Sequence, residues 1–362
     1  MTDLSPLPAP LDDTVQAARL RTVATVLGPV PVESLGVAQA HEHLFCQLAA
    51  PDAAVGDGPE WRHYGEPIRL SNYYDIRRDH INADDQRLVS VEDAIAEVAE
   101  FRRSGGGTIV DVTPRGLGRA PAELRAVSSA TGVHVVMGCG YYVHTSHPPD
   151  LAARSEDDIT AEILTELRDG VDGTGIRPGV IGEIGMSWPA TPAEITVLRA
   201  AARAQSAAGV GLVVHPGRSP EAPLHHLRII EAAGGDISRC VISHVDRTIF
   251  SVPEMRSLGR TGCYVEFDLF GVESSHYSLA PVDLPNDAMR VDYIRRLLDD
   301  GHGDRVLISH DICNKSRLAR YGGEGYAHIL TRVVPLMRRK GFGQADIDRL
   351  LIHNPAAMLV GR

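Results

Sequence analysis

Eight short apolar runs, separated by segments with helical periodicity, most constrain what this chain can fold into. Each run has the small and branched apolar residues of a buried parallel strand, and most are followed by an amphipathic helix. The predicted strands cover residues 35–43, 108–113, 133–140, 179–185, 210–215, 240–244, 262–268 and 305–311. Eight such repeats predict an α/β fold whose parallel sheet closes into a (β/α)8 TIM barrel. A doubly wound open sheet is the alternative, but no strand is followed by the G-x-G-x-x-G of its nucleotide-binding forms.

The chain length indicates one large domain. Its 362 residues are enough for a single sizeable core, and we assign residues 21–362 to one (β/α)8 domain. Residues 1–20 are rich in Pro, Asp and Ala, lack the regions of a secretory signal, and are predicted to form a flexible N-terminal arm. Roughly 45 residues separate the first strand from the next regular helix, a long insertion for a βα loop. This insertion either caps the barrel mouth or is a surface excursion.

Composition excludes several classes of partner. The formal net charge of -11 argues against nucleic acid or an anionic membrane as the partner. No apolar run approaches the roughly 18 residues that span a bilayer. The five cysteines are scattered without a C-x-x-C pair, as in proteins of a reducing compartment. We therefore expect a cytoplasmic protein that acts on a small molecule.

Side chains able to bind metal stand at the ends of several predicted strands. His41 and His43 are separated by one residue, so both imidazoles point the same way on a strand. The carboxyl ends of all barrel strands meet on one face, where active sites are built. The candidate metal ligands on this face are His41, His43, Glu183, His215, His244 and Asp311.

This ligand set predicts two metal ions. Four imidazoles and two carboxylates exceed the three protein ligands of a mononuclear catalytic zinc site, and they suit two ions that share a bridging carboxylate. Glu183 comes from the strand between the two histidine pairs and is the natural bridge. Asp311 can bind one ion and also act as the general base. Zinc is the default for imidazole with carboxylate, although manganese, cobalt and iron accept the same ligand types.

The chain resembles, over nearly its whole length, the phosphotriesterase-related branch of the amidohydrolase superfamily. The resemblance rests on AHEH at 40–43, GEIG at 182–185, VHPGR at 214–218, SHVDRT at 243–248 and SHDI at 309–312. It implies that one ion is held by His41, His43 and Asp311 and the other by His215 and His244. Phosphotriesterases proper bridge their ions with a carbamylated lysine on strand 4. This chain has Glu183 there, as the phosphotriesterase homology proteins do.

Further motifs place the chain near the animal phosphotriesterase-related proteins. These are IGMSWP at 184–189, the run 262–271 and KSRLARYGG at 315–323. That subgroup is associated with hydrolysis of N-acetyltaurine and similar N-acyl amino acids, and has carried a resiniferatoxin-binding label. The resemblance implies zinc-dependent hydrolysis of a small amide by a metal-bridging hydroxide. A lactonase or esterase of the same class and a non-catalytic ligand-binding protein are the alternatives. A homodimer is expected from the family alone.

Four further residues are candidate substrate contacts. Arg218 and Arg247 follow strands that carry metal ligands, and a guanidinium there can clamp a carboxylate or sulfonate. The alternative is a loop ion pair, such as Asp246 with Arg247. Trp188, after the bridging strand, and Tyr141, after the third strand, are expected to line the pocket, with loop packing as the alternative for Tyr141.

Overall fold

The computed structural model describes residues 21–48, 58–274 and 277–360, so the predicted arm of residues 1–20 lies outside the described residues. The described strands, in chain order, are β1 (Thr22–Thr25), β2 (Gly28–Pro31), β3 (Val37–Glu42), β4 (Cys46–Gln47), β5 (Arg87–Leu88), β6 (Gly106–Asp111), β7 (His134–Cys139), β8 (Val180–Gly185), β9 (Gly211–His215), β10 (Cys240–Ile242), β11 (Tyr264–Phe267) and β12 (Val306–Ile308). The α-helices are α1 (Tyr73–Asp79), α2 (Val91–Arg103), α3 (Pro121–Thr131), α4 (Glu156–Asp169), α5 (Pro192–Ala208), α6 (Ala222–Ala232), α7 (Val252–Gly259), α8 (Asp287–Asp299), α9 (Val334–Arg339), α10 (Gln344–Asp348) and α11 (Asn354–Leu359).

Eight parallel strands form the central sheet of the described structure. They are hydrogen-bonded in the order β3, β6, β7, β8, β9, β10, β11 and β12, and α2 to α8 lie in the connections between them. After β12, the backbone N–H of Asp311 donates to the carbonyl of His41 at 3.2 Å, and the N–H of His41 donates to the hydroxyl of Ser309 at 3.1 Å. These bonds bring the last strand back beside the first. The predicted (β/α)8 barrel is confirmed.

The core lies in two layers, inside the barrel and between its strands and helices. Branched residues from successive strands fill the interior, because alternate side chains of each strand point inward. The interior residues include Val110, Val136, Val180, Val213, Val241 and Leu307, and Val23 of β1 packs against them at the bottom. A larger cluster joins the outward side chains to the helices. Helix starts are fixed by capping, since Ser90, Ser155 and Thr191 each accept the amide of the third helical residue.

The described part of the insertion after β3 is closed at its base. β4 and β5 pair antiparallel and bring its two ends together. Between them, α1 is the α-helix of the described part of the insertion. His80 and Gln86 from this insertion line the cavity at the carboxyl end of the barrel. The insertion therefore forms part of the cavity wall.

The cysteines and the helices can also be compared with the expectations from the sequence. All five cysteines are free, and four of them are buried. Within the described ranges, no helix is long and apolar enough to cross a membrane. At the C-terminal end of the described residues, helical backbone runs from α10 through α11 to Leu359.

Candidate metal centre

The first group of predicted ligands meets at the carboxyl end of the barrel. Nε2 of His43 lies 3.1 Å from Oδ1 of Asp311 and 3.4 Å from Oε1 of Glu183. Nε2 of His41 lies 3.7 Å from a carboxylate oxygen of each of the same two residues. One cation between these side chains would have two imidazoles and two carboxylates as neighbours.

The second group lies on the other side of Glu183. Its Oε2 atom is 3.2 Å from Nδ1 of His215 and 3.3 Å from Nε2 of His244. These two ring nitrogens are 2.9 Å apart. Glu183 therefore faces both histidine pairs, which is the position that a bridging carboxylate requires. The structure thus brings the six predicted ligands together.

The buried imidazoles are oriented to bind a cation. Nε2 of His41 is buried and has no hydrogen-bond partner among the described residues, although its ring is fully enclosed. In three of the four rings Nδ1 is occupied, which leaves Nε2 directed into the site. The partners of Nδ1 are Glu266 for His41 at 3.1 Å, Asp268 for His244 at 2.9 Å and Thr113 for His43 at 2.8 Å. An unpaired buried nitrogen costs free energy that a metal ion would recover, so these residues fit a metal centre.

The electrostatics of the site also favour positive charge. Burial alone raises the pKa of the Asp311 carboxyl, but hydrogen bonding to His43 and the charges of nearby imidazoles lower it to about 2. The pKa of Glu183 lies well below its usual range, because hydrogen bonds from three histidines and the charge of His41 outweigh the effect of burial. Burial lowers the pKa of His41, yet hydrogen bonding to Glu266 and the nearby carboxylate charges raise it to about 10. A pocket that attracts protons this strongly is suited to divalent cations in their place.

Local backbone irregularities aim several ligands inward. The register of β3 shifts between Gln39 and Glu42, and the register of β8 shifts between Ile181 and Ile184. In β8, Val180 faces the barrel interior, so regular alternation would turn Glu183 outward. The shift at Gly182, whose φ is +116°, directs Glu183 into the site instead.

Two ligands have left-handed backbone conformations. His244 and Asp311 both have φ of +54°. His244 lies two residues beyond the end of β10, and Asp311 lies three residues beyond the end of β12. Such a conformation costs a non-glycine residue roughly 1–3 kcal/mol and persists where the surrounding structure enforces it, typically at functional sites. The backbone N–H of His244 donates to Asp268 at 2.9 Å, which helps to hold this conformation.

Glu42, between the two histidines of the His-Glu-His motif, joins β3 to the end of β12. Its carboxylate accepts the hydroxyl of Ser309 at 2.8 Å and the backbone N–H groups of His310 and Ile312 at 2.9 and 3.1 Å. The residues that bind Glu42 therefore flank Asp311 on both sides in the sequence. Glu42 thus fixes Asp311 next to the two histidines of β3, although it does not face the metal site.

A cavity of about 140 Å³ opens onto the ligand cluster. His43, Glu183, His215, His244 and Asp311 form its polar floor. Its wall carries the side chains of Leu48, Leu117, Leu269, Val272, Leu279 and Leu284. An apolar cavity of roughly 150 Å³ holds a molecule the size of benzene, so this one suits a small ligand.

Tyr141 and Trp188 do not line this cavity. The Tyr141 ring is buried outside the barrel, where its hydroxyl donates to Glu162 at 2.9 Å. Trp188 packs edge-on against His225, with ring centroids 5.4 Å apart. The neighbouring Tyr142 faces the cavity instead, and its hydroxyl lies 3.1 Å from Nδ1 of His215. Alternation of side chains after β7 explains the difference, because adjacent residues point to opposite sides of the strand.

Arg218 and Arg247 both line the cavity. Nη2 of Arg247 lies 3.1 Å from Nε2 of His215, and Nη1 donates to the carbonyl of Gly217 at 3.1 Å. Arg218 donates through Nε to the hydroxyl of Tyr277 at 3.4 Å. The alternative pair of Asp246 with Arg247 does not form, because Asp246 is bound at 2.7 Å by another arginine, Arg290.

Sequence reasoning missed the carboxylates behind the imidazoles. Neither Glu266 nor Asp268 is among the predicted site residues. Both are fully buried, and they orient His41 and His244. The available signal was their spacing, because two acids separated by one residue on an otherwise apolar strand point the same way.

Comparison with known proteins shows which family the chain belongs to. A sequence profile described as the phosphotriesterase family matches residues 21–359. The chain belongs to the phosphotriesterase family. Members of the phosphotriesterase family are metal-dependent hydrolases, and this protein is accordingly a hydrolase with a small-molecule substrate.

Individual relatives within the phosphotriesterase family are similar over nearly the whole chain. The N-acetyltaurine hydrolase of Bos taurus is 41% identical over 345 residues, covering 93% of this chain and 97% of the relative. A resiniferatoxin-binding protein from Rhodobacter sphaeroides is 37% identical, with a TM-score of 0.89 over 94% of this chain and 96% of the other. The phosphotriesterase homology protein from Escherichia coli, solved with phosphate in its active site, is 30% identical, with a TM-score of 0.73 over 90% of this chain and 99% of that one.

Proposed function

We propose that this protein hydrolyses the amide bond of small N-acylated amino acids or aminosulfonates, of which N-acetyltaurine is the leading candidate, with two divalent metal ions, by default zinc. One ion would be held by His41, His43 and Asp311 and the other by His215 and His244, with Glu183 between them. The relatives named N-acetyltaurine hydrolase support this assignment. A cytoplasmic location and a homodimer stay predictions from the sequence.

One observation carries the choice of substrate class. Three arginines line the cavity that contains the ligand cluster. Arg317 is paired with Glu324, which leaves the guanidinium groups of Arg218 and Arg247. Within the described ranges, neither group forms an ion pair with a carboxylate. Two cations without a carboxylate partner favour a substrate that carries its own anion, because a guanidinium binds sulfonate or carboxylate with charge-assisted hydrogen bonds. A neutral lactone would leave both guanidinium groups without an anionic partner.

The arrangement also suits the two ends of such a substrate. The apolar side chains of Leu269, Val272 and Leu284 offer a surface for a short acyl group. In the same cavity, Arg218 and Arg247 offer guanidinium groups for the anionic end of the amine. The phosphate in the active site of the Escherichia coli relative is a further indication that sites of this kind accept anions.

The residues have distinct parts in the proposed reaction. When bound, the two ions polarise the amide carbonyl and make a water molecule nucleophilic near neutral pH. Asp311, whose side chain is 15% exposed while those of Glu183 and the four histidines are 5% exposed or less, faces the cavity and accepts the proton of the attacking water. It then returns that proton to the leaving nitrogen. Glu266 and Asp268 hold His41 and His244 in the required orientation.

The direct test is release of free taurine from N-acetyltaurine by protein loaded with zinc. We expect turnover that a chelator abolishes and that added zinc restores, with about two ions bound per chain. Protein that holds two ions but hydrolyses a lactone or ester and no N-acyl amino acid would identify the alternative activity. Protein that binds resiniferatoxin or another ligand without turnover would identify a binding protein.

Arg218→Gln tests the anion clamp. We expect KM for N-acetyltaurine to rise about tenfold or more, since a hydrogen bond to a charged group is worth roughly 1.5–3 kcal/mol. Hydrolysis of a neutral amide of the same acyl group should change little. Arg260→Gln, a change at an exposed arginine at the end of α7, is the matched control. An equal loss on charged and neutral substrates would contradict the clamp.

A further inference from the structure

The insertion after β3 holds the segment that follows β12 through specific polar contacts. The hydroxyl of Tyr73, in α1, donates to the carbonyl of Ser316 at 2.8 Å. The backbone N–H of Ser316 donates to Oδ1 of Asp85 at 2.7 Å, and the ammonium of Lys315 contacts Asp84 at 2.6 Å. Two parts of the chain more than 200 residues apart are therefore joined beside the cavity.

A chain of charged side chains extends this contact to Asp311. Nη2 of Arg77, in α1, donates to Oε2 of Glu324 at 2.7 Å. Oε1 of Glu324 accepts from Nε of Arg317 at 2.6 Å, and Nη1 of Arg317 donates to the carbonyl of Asp311 at 2.7 Å. Arg317 and Glu324 are each 5% exposed in their side chains, so these charges interact with little screening by water.

Asp311 needs such support because of its backbone. Its φ of +54° is a conformation that a side chain with a Cβ atom adopts only under constraint. The Arg317 guanidinium fixes the Asp311 carbonyl and, through Nη2, the carbonyl of Phe270 at 3.2 Å. One planar group therefore ties the end of β12 to the loop after β11, and Glu324 and Arg77 hold that group in place.

We propose that Arg77, Glu324 and Arg317 are positioning residues for Asp311, so that the insertion after β3 controls the geometry of one metal site and of the general base. This proposal rests on the function proposed above, because it takes Asp311 as ligand and base. Arg77 itself does not line the cavity, so its replacement would act on catalysis through its partners. These are Glu324, which holds Arg317, and the carbonyl of Gly271 in the loop after β11, to which Arg77 donates at 3.0 Å.

The test compares zinc-loaded wild type with Arg77→Gln. We expect kcat to fall roughly 10–100-fold with KM nearly unchanged, and zinc to pass faster to a chromogenic chelator, as for other residues that orient metal ligands. Arg77→Lys keeps a charge facing Glu324 and should recover part of both losses. Arg320→Gln is the control, because Arg320 lies in the same segment but pairs with Asp93, away from Asp311.

Coupling can be measured with Arg317→Lys, which keeps the charge but loses the planar group. The double variant Arg77→Gln with Arg317→Lys should lose less than the product of the two single losses, since both act through one network. Wild-type rates of both turnover and zinc release in Arg77→Gln would overturn the proposal, as would strictly multiplicative losses. If wild type binds zinc but does not hydrolyse N-acyl amino acids, the proposed function fails, and zinc release alone decides this inference. Wild type that takes up no metal would refute both.

Discussion

Replacement of Glu183 by glutamine is expected to reduce kcat by about a thousandfold or more, since paired metal ions supply several kcal/mol of transition-state stabilisation. The reason is the position of this carboxylate, whose two oxygens face His43 on one side and His215 and His244 on the other. Glutamine has nearly the same shape but no charge, and only one of its two terminal atoms can accept a metal bond. The ions would then repel each other without a shared anion between them.

Metal content separates this explanation from a folding defect. Glu183→Gln should purify with fewer than two ions per chain and keep the circular dichroism spectrum of the wild type. Glu231→Gln, on the exposed surface of α6, is the matched control and should behave as wild type in both measurements. Wild-type turnover in Glu183→Gln would refute the bridging role outright.

Asp311→Asn is expected to lower kcat by between about 10² and 10⁴-fold, the usual contribution of a general base. Asparagine can still donate and accept hydrogen bonds, but it cannot take a proton from water at neutral pH. The wild-type carboxyl is ionised there, because its pKa is held near 2 by His43 and the surrounding imidazoles, against the effect of burial. KM should change less than kcat, since Arg218 and Arg247 remain in place.

Glu183→Gln and Asp311→Asn are expected to differ in metal content. Asp311→Asn keeps Glu183, His215 and His244 intact, so the ion held by these residues should stay bound while the other is weakened. We expect a content between one and two ions for Asp311→Asn and a lower content for Glu183→Gln, measured by atomic emission on dialysed protein. Asp292→Asn, at an exposed pair with Lys340, serves as the control. Normal activity in Asp311→Asn would place the general base elsewhere in the cavity.

The sequence by itself determined the barrel and the ligand types. The alternation of strand-like and helical segments is local, because burial of each strand on both faces requires a continuous apolar run within a few residues. His41, His43, His215 and Asp311 stand at strand ends that a parallel barrel brings to one face. Their convergence followed from the fold class alone.

Only the tertiary structure decided how individual side chains are aimed. Glu183 faces the two histidine pairs because the register of β8 shifts at Gly182, which alternation along the strand does not foresee. The same limit explains why Tyr142, and not Tyr141, reaches the cavity: a change of one residue at a strand end reverses the direction of a side chain.

Contacts between distant parts of the chain likewise could not be predicted from the sequence. Glu266 orients His41 from 225 residues away, and Arg77 meets Glu324 across 247 residues. No local pattern encodes such pairs, since each depends on which strands and loops the closed barrel brings into contact. The sequence therefore determined which chemistry is available on the catalytic face. The packing of the loops and the shifts in strand register determined which side chains can carry it out.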